Sequence, residues 1–195
     1  MFRRLYIKWL VFGGKAIDIW SKSEYPADVL SNLCSNGFRF DGMVCGSMEG
    51  FLQSLKQKDK DKQRQICSMK GKNAKKMTST GWQTDQIVWW KGVGIDRQSD
   101  DYLQLVRRAY QAMFEQNERF RTALMSTRGM AIFHSRGESN PYKTILTEEE
   151  LCQRYSRRAR SRSGHRLQSR RLQTSCSNCC RRRWQSSVSG CSVMS

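Results

Sequence analysis

Glu49 is the residue of this chain whose position best suits acid–base chemistry. The apolar spacing around it predicts a helix with Ser47 as its N-cap, which puts Glu49 in the first helical turn. There the partial positive charge of the helix N-terminus favours a carboxylate, and Gln53 lies four residues later on the same side. On spacing alone, however, a first-turn glutamate is more often a solvated residue that stabilises its helix than a catalytic one.

A strand–turn–helix unit is predicted to position this carboxylate. Residues 38–40 alternate between apolar and charged side chains, and Asp41-Gly42 follows them as a sequence typical of a tight reversal between strands. The helix is predicted to bury a face at positions i, i+3, i+4 and i+7, which are Met48, Phe51, Leu52 and Leu55. The unit therefore presents one carboxylate beside a packing face.

Three other segments carry polar, basic or aromatic side chains of functional interest. Ser31 and Asn32 precede the central unit, and such residues commonly form caps and turns. A short basic helix is predicted at 71–77, and its lysines form a candidate phosphate-binding site. The rings of Trp89 and Trp90 could stack on a base or pack in the core.

The rest of the body is predicted to be mainly helical. A long helix begins at Ser99 and a second one runs over 117–126, so that the two form a helical hairpin. The predicted buried stripe of the long helix consists of Leu103, Val106, Tyr110, Met113 and Phe114. Thr147 and Glu150 form a capping box for a final helix, and residues 16–20 alternate as a small N-terminal β element.

The positive charge of the chain is concentrated at its end. The 195 residues carry a formal net charge of +18. Residues 153–195 contribute +11 of it, since they contain 11 arginines and no acidic residue. The widely spaced cysteines of the body indicate reduced thiols, and no apolar run reaches the roughly 18 residues of a membrane-spanning helix. We therefore expect a cytoplasmic protein with no membrane partner.

The two ends of the chain differ from the body in composition. Residues 1–15 are basic and aromatic, which suits an arm for a membrane surface or nucleic acid, but we favour an extension outside the fold. Residues 153–195 are rich in arginine and serine, as in a disordered arm that binds RNA or DNA; out-of-frame translation would give the same abrupt change. Cys176 and Cys179 lack a second cysteine pair, and His134 is the single histidine of the body, so no metal site is predicted.

The body resembles the NADAR family, also called YbiA-like N-glycosidases, from about residue 17 to residue 152. Residues 30–33, LSNL, resemble the family's F-S-N-F segment, and Asp41-Gly42 resembles its D-G turn. Residues 47–56, SMEGFLQSLK, resemble the family's S-E-H-Y-F-Q-A-Q-K helix, and residues 106–124 are similar to its late helices.

The resemblance implies a mainly helical YbiA-like orthogonal domain that hydrolyses the N-glycosidic bond of a ribosylated base. The substrate would be a riboflavin-pathway ribosylaminopyrimidine phosphate, or ADP-ribose attached to guanine or a related group. Glu49 falls on the family's catalytic glutamate, and Asn32, Gln53 and Lys56 match other polar positions of the family's motifs. The implied reaction is metal-independent and uses no cofactor.

Several positions differ from the family pattern. The histidine after the glutamate is replaced by Gly50, and the tryptophan before the long helix falls on Gln98, with Trp89 and Trp90 nearby. The late W-G-x-G segment is missing, which leaves Glu138 as the candidate for the second acidic residue, unless nothing replaces it.

We therefore predict an N-glycosidase domain at residues 16–152, with Glu49 as the base and electrostatic stabiliser. Binding residues are expected to hold the ribose hydroxyls, neutralise the phosphate and stack on the base. These residues are Asn32, Gln53, Lys56, Trp89, Trp90 and Glu138, with the 72–76 lysines as an alternative to Lys56. The alternative function is a non-enzymatic protein that binds nucleic acid through residues 153–195.

Overall fold

A computed structural model of the chain describes residues 2–77 and 79–160. These residues contain nine helices and six short strands. The helices are α1 (Phe2–Phe12), α2 (Ala27–Leu30), α3 (Met48–Ser54), α4 (Lys60–Cys67), α5 (Gly71–Lys76), α6 (Trp82–Asp85), α7 (Asp100–Gln116), α8 (Glu118–Ser126) and α9 (Glu148–Arg160). The strands are β1 (Ala16–Asp18), β2 (Phe38–Phe40), β3 (Met43–Cys45), β4 (Ile87–Trp90), β5 (Val93–Asp96) and β6 (Ala131–Phe133). About half of the described residues are helical, so the predicted class, mainly α, holds only in outline.

The strands form three two-stranded sheets spread along the body. The sequence predicted only a small β element at the N-terminus of the body, besides the Asp41-Gly42 turn between strands. β2 and β3 form the predicted hairpin, in which Asp41 and Gly42 have φ angles of 46° and 82°. β4 and β5 form a second hairpin, whose turn residues Lys91 and Gly92 have φ angles of 53° and 88°. β1 pairs in parallel with β6, a partner too far along the chain for a local pattern to indicate.

α3 lies at the centre of the fold, in contact with α4, α5 and α7. Its four predicted buried residues are all at most 1% exposed, which confirms that prediction. A Cβ atom added to Gly46 would lie 2.2 Å from the Ser68 carbonyl oxygen, and one added to Gly50 would lie 2.7 Å from the Cys67 carbonyl oxygen. Because no side chain fits in these spaces, the two glycines allow α3 to lie directly against the end of α4.

α7 and α8 form the predicted helical hairpin. The side chains of Ser99 and Asn117 cap them, each accepting a backbone N–H of the first turn. The predicted stripe of α7 is partly wrong, because Leu103 is 37% exposed and Phe114 is only partly buried. The buried residues of α7 are Tyr102, Leu105, Val106, Ala109, Tyr110 and Met113. The buried face begins at a tyrosine because the Tyr102 hydroxyl donates a hydrogen bond to the Ile145 carbonyl.

Both α1 and α9 contact the body. α1 buries Ile7, and Arg3 of this helix forms an ion pair with Glu148 at 2.7 Å. The predicted capping box of α9 is confirmed, since the Thr147 N–H donates to the Glu150 carboxylate and the Glu150 N–H donates to the Thr147 hydroxyl. The same carboxylate accepts a hydrogen bond at 2.8 Å from Arg97, whose side chain is 2% exposed.

α9 continues to Arg160, beyond the predicted domain boundary at 152, and buries Tyr155 and Ala159. The rest of the arginine- and serine-rich segment, with Cys176 and Cys179, lies outside the described residues. Among the residues that are described, no helix is long and apolar enough to cross a membrane.

Replacing Gly50 with alanine is expected to destabilise the protein. The added methyl group would meet the carbonyl oxygens of Cys67 and Met69 at 2.7 and 2.8 Å, and such overpacking typically costs about 1–3 kcal/mol. The free energy of unfolding, measured by urea denaturation, should fall by this amount. Gly81→Ala is the matched control, because a Cβ there meets nothing closer than 3.9 Å. An equal effect of the two substitutions would contradict the packing described for α3.

Candidate active site

Glu49 and Gln53 form one hydrogen-bonded unit on α3. The Ser47 hydroxyl accepts the Gly50 N–H at 3.0 Å and begins the helix, as predicted. The Gln53 side-chain amide donates to the Glu49 carboxylate at 2.9 Å from one turn further along the helix. Gln53 is buried and Glu49 is partly exposed. The carboxylate is therefore held from the protein side and remains accessible to a small molecule.

Asn32 is attached directly to the start of the same helix. Its backbone carbonyl accepts the Glu49 N–H at 3.0 Å. Its side-chain oxygen accepts a hydrogen bond from the Tyr110 hydroxyl at 2.7 Å, and the Tyr155 hydroxyl lies 3.5 Å from the same oxygen. In the hydrogen bonds that Asn32 makes with Tyr110 and Tyr155, its side-chain oxygen is the acceptor, and its side-chain NH₂ group takes no part. That group is therefore a donor available to a ligand near Glu49.

Tyr110 fixes the orientation of the Asn32 amide, while the single proton of the Tyr155 hydroxyl goes to the Leu30 carbonyl at 2.8 Å. Burial raises the pKa of Tyr110; Arg154 opposes the rise, and the negative charge of Glu49 adds to it. Burial also raises the pKa of Tyr155 well above its usual value. Both phenols are therefore neutral at physiological pH. Because a neutral phenol donates to an amide oxygen, Tyr110 determines which side of the Asn32 amide is left for a ligand.

Lys56 follows α3 directly and brings positive charge to the same region. Its Nζ lies 5.8 Å from the centroid of the Trp82 ring. Burial lowers the pKa of Lys56, while the charge of Glu49 favours the ammonium form and that of Lys75 opposes it. Glu49, Lys56 and Lys75 therefore lie close enough to influence one another's charge, with Lys75 coming from the basic helix α5.

The two predicted stacking residues, Trp89 and Trp90, lie in the β4–β5 hairpin. The ring of Trp90 is 5% exposed and packs against Phe40 and Phe51 at centroid distances of 5.6 and 5.2 Å. Trp90 is therefore a core residue, and its ring is not open to a base. Trp89 points to the other face of its strand, where Lys58 Nζ lies 4.8 Å from its ring centroid. Of the two, only Trp89 keeps a partly exposed ring.

Glu138, the predicted second acidic residue, is exposed on the loop after β6. Its carboxylate accepts the N–H groups of Ser139 and Asn140, both at 2.9 Å. These hydrogen bonds, that from Asn140 first, lower the pKa of Glu138, which makes it a poor proton donor. Among the described residues, Glu49 and Glu138 share no hydrogen-bond partner: Gln53 donates to the first, Ser139 and Asn140 to the second.

Gly50 replaces the histidine that follows the glutamate in the family motif, and the packing explains why. The space that a side chain would occupy is filled by the carbonyl oxygens of Ile66, Cys67 and Met69. A histidine at this position would push α3 away from the end of α4. The imidazole is therefore incompatible with the way this chain packs α3.

Three aromatic residues that lie beside Asn32 or Lys56 were missed as site residues from the sequence. Tyr110 counted only as part of a buried stripe, Trp82 lies in a short helix within an irregular segment, and Tyr155 falls beyond the predicted boundary. Trp82 is 4% exposed, and its Nε1 has no hydrogen-bond partner among the described residues; the same holds for Oε1 of Gln53. Buried polar groups are seldom left unpaired, so both are groups that a bound ligand could satisfy.

The order and packing of these elements match a known fold. The NMR structure of the Escherichia coli protein YbiA is similar to this chain with a TM-score of 0.52, over 82% of this chain and 87% of that one. The sequence identity is 15%, so the likeness concerns the fold alone. The protein has a YbiA-like fold, as the sequence resemblance implied.

Sequence similarity shows the family to which this chain belongs. The model of the family of bacteriophage protein GP30.3, which is NADAR-like, matches residues 24–160. An uncharacterised 17.1 kDa protein of the Gp30–rIII intergenic region of enterobacteria phage T4 is 34% identical over 138 residues, which are 69% of this chain and 91% of the relative. The chain belongs to the GP30.3 family, and the predicted NADAR-like resemblance is confirmed.

Removing the Tyr155 hydroxyl is expected to loosen the contact between α9 and the Asn32 segment. This buried hydroxyl donates to the Leu30 carbonyl at 2.8 Å, and leaving a buried acceptor without its partner costs about 1–3 kcal/mol. Tyr155→Phe should lower the free energy of unfolding by that amount in chemical denaturation. Tyr142→Phe, at a residue 58% exposed, should change it by less than about 0.5 kcal/mol. Equal stability of the two variants would refute the contact.

Proposed function

We propose that this protein is an N-glycosidase, which hydrolyses the bond between C1′ of a ribose and a nitrogen of the attached base. The observation that carries the proposal is the Glu49 carboxylate, partly exposed at the start of α3 and held by Gln53. Membership of a NADAR-like family supports it. The proposed substrates are a ribosylaminopyrimidine phosphate or an ADP-ribosyl conjugate such as ADP-ribosylated guanine.

The proposed reaction needs a single well-placed carboxylate. As the C1′–N bond breaks, positive charge develops on the ribose, and a carboxylate beside C1′ stabilises it. Glu49 then accepts a proton from water while the water oxygen bonds to C1′, and solvent protonates the departing nitrogen. An electron-poor base leaves readily, so this route does not require Glu138 to donate a proton.

The polar groups around Glu49 are proposed to bind the rest of the substrate. The NH₂ group of Asn32 donates to one ribose hydroxyl, and Oε1 of Gln53 accepts from another. Lys56 and Lys75 neutralise the phosphate, and the unpaired Nε1 of Trp82 is a further donor beside Lys56. Trp89 remains the proposed stacking residue for the base.

Glu49→Gln tests the catalytic assignment. The amide keeps the shape of the side chain but removes its charge and basicity, so turnover should fall by about 10²- to 10⁴-fold. Release of free ribose 5-phosphate would be measured from a ribosylaminopyrimidine phosphate, and release of ADP-ribose from ADP-ribosylated guanine in DNA. The matched control is Glu138→Gln, which should retain turnover within about twofold because solvent can protonate the leaving base. Failure of the unmodified protein on both substrates, or equal activity of Glu49→Gln, would overturn the proposal.

Lys56→Met tests the phosphate-binding assignment. Hydrogen bonds to charged groups contribute about 1.5–3 kcal/mol, so KM should rise by about tenfold to a hundredfold with a smaller change in kcat. Lys62→Met is the control, since Lys62 is exposed on α4 and is not among the proposed binding residues. A KM that rises equally in both variants would indicate general electrostatic attraction in place of a specific phosphate contact.

A further inference from the structure

The exposed face of α1 carries a continuous apolar stripe that the proposed glycosidase does not use. Its residues are Phe2, Leu5, Tyr6, Trp9 and Phe12, exposed by 89, 58, 57, 62 and 94%. Their spacing of three and four residues places them on one side of the helix. Ile7, on another side, is 2% exposed and attaches the helix to the body. The stripe is therefore presented to solvent by a helix that is itself anchored.

Basic residues flank this stripe without any acidic residue among them. The first 17 residues contain Arg3, Arg4, Lys8 and Lys15, and the first acidic residue is Asp18. Arg3 pairs with Glu148, and Lys15 Nζ lies 5.7 Å from the centroid of the Trp9 ring. The charged residues that line a groove of about 1040 Å³ beside α1 are three basic ones and one acidic one, Arg4, Lys8, Arg136 and Asp18, so the net charge of its lining is positive. The apolar face is therefore bordered by positive charge.

We propose that α1 binds the surface of an anionic lipid bilayer. A helix with aromatic and aliphatic side chains on one face and arginine and lysine beside them lies in the plane of the membrane, with its apolar face among the acyl chains and its cations on the lipid phosphates. At about 1.5 Å per residue, the 11 residues of α1 are too short to span a bilayer but long enough to lie on one. The sequence led us to expect no membrane partner; the exposure of the whole stripe is the observation that changes this expectation.

The charges favour a lipid surface over a second copy of the chain. Two copies joined through this face would bring Arg4 and Lys8 of both together, with no acidic residue of either helix to compensate. An anionic bilayer supplies the opposite charge and also takes up the rings of Phe2, Trp9 and Phe12. The anchored helix needs no folding on binding, which removes part of the entropic cost.

Vesicle sedimentation with the full-length protein tests the proposal. Binding to vesicles containing phosphatidylglycerol would be compared with binding to neutral phosphatidylcholine vesicles, at one ionic strength for all variants, since salt screens every exposed arginine and lysine alike. Unmodified protein should bind the anionic vesicles. The double variant Trp9→Gln, Phe12→Gln should bind them at least about tenfold more weakly. The double variant Arg4→Glu, Lys8→Glu should weaken binding by at least the same factor.

The controls separate this helix from the rest of the chain. Val93→Gln with Tyr142→Gln alters two side chains of similar exposure elsewhere, 62 and 58%, and should leave binding unchanged. All variants retain the arginine-rich end, so its contribution is constant. Equal vesicle binding by the unmodified protein and the Trp9, Phe12 variant would overturn the proposal. So would a dimer, or binding to a duplex oligonucleotide, that the same two substitutions abolish without any effect on vesicle binding.

Discussion

The close approach of backbone to backbone around α3 is the constraint on which the candidate site depends. Gly46 and Gly50 admit the carbonyl groups at the end of α4, and Gly71 lies against Leu33, where an added Cβ would come within 2.5 Å of its backbone. These contacts join α3, α4 and α5 to the segment that carries Asn32. Since Glu49, Gln53 and Lys56 all lie on or beside α3, their positions relative to Asn32 follow from packing that only glycine permits.

This packing also determines which chemistry the site can offer. With the side-chain space at position 50 occupied by carbonyl oxygens, no imidazole stands next to the glutamate. The groups that remain beside Glu49 are an amide from Gln53, an oriented amide from Asn32 and the ammonium of Lys56. Such a set binds hydroxyl and phosphate groups well and transfers protons through one residue. The proposed reaction is of the kind that makes this limited demand.

Local features of the fold were predictable because short-range physics fixes them. The caps formed by Ser47 and Ser99, the Asp41-Gly42 turn and the capping box before α9 each depend on residues within a few positions of one another. The four-residue spacing that pairs Glu49 with Gln53 is of the same kind. For Glu49 itself, spacing favoured a solvated helix residue, and the family motif was needed to mark it as a candidate.

Contacts between distant parts of the chain could not be predicted from local sequence patterns. The hydrogen bonds of Tyr110 and Tyr155 to the Asn32 segment, and the parallel pairing of β1 with β6, connect residues that no periodicity links. The prediction of the buried stripe of α7 was partly wrong for a related reason. Tyr102 is buried there because the distant Ile145 carbonyl accepts a hydrogen bond from its hydroxyl. Trp90 looked available to a ligand because its packing against Phe40 and Phe51 is set by the meeting of two hairpins.

The hydrogen bonds that Tyr110 and Tyr155 donate to the segment of residues 30–32 have a consequence for folding during synthesis. Glu49, Gln53 and Lys56 are synthesised early, but a domain generally folds as a unit once enough of it has been made. The Tyr110 and Tyr155 hydroxyls and the strand that pairs with β1 all come from the last third of the described residues. A nascent chain that has not yet released α7 and α9 therefore carries its carboxylate without an oriented Asn32. The complete arrangement arises only when translation of the body is finished.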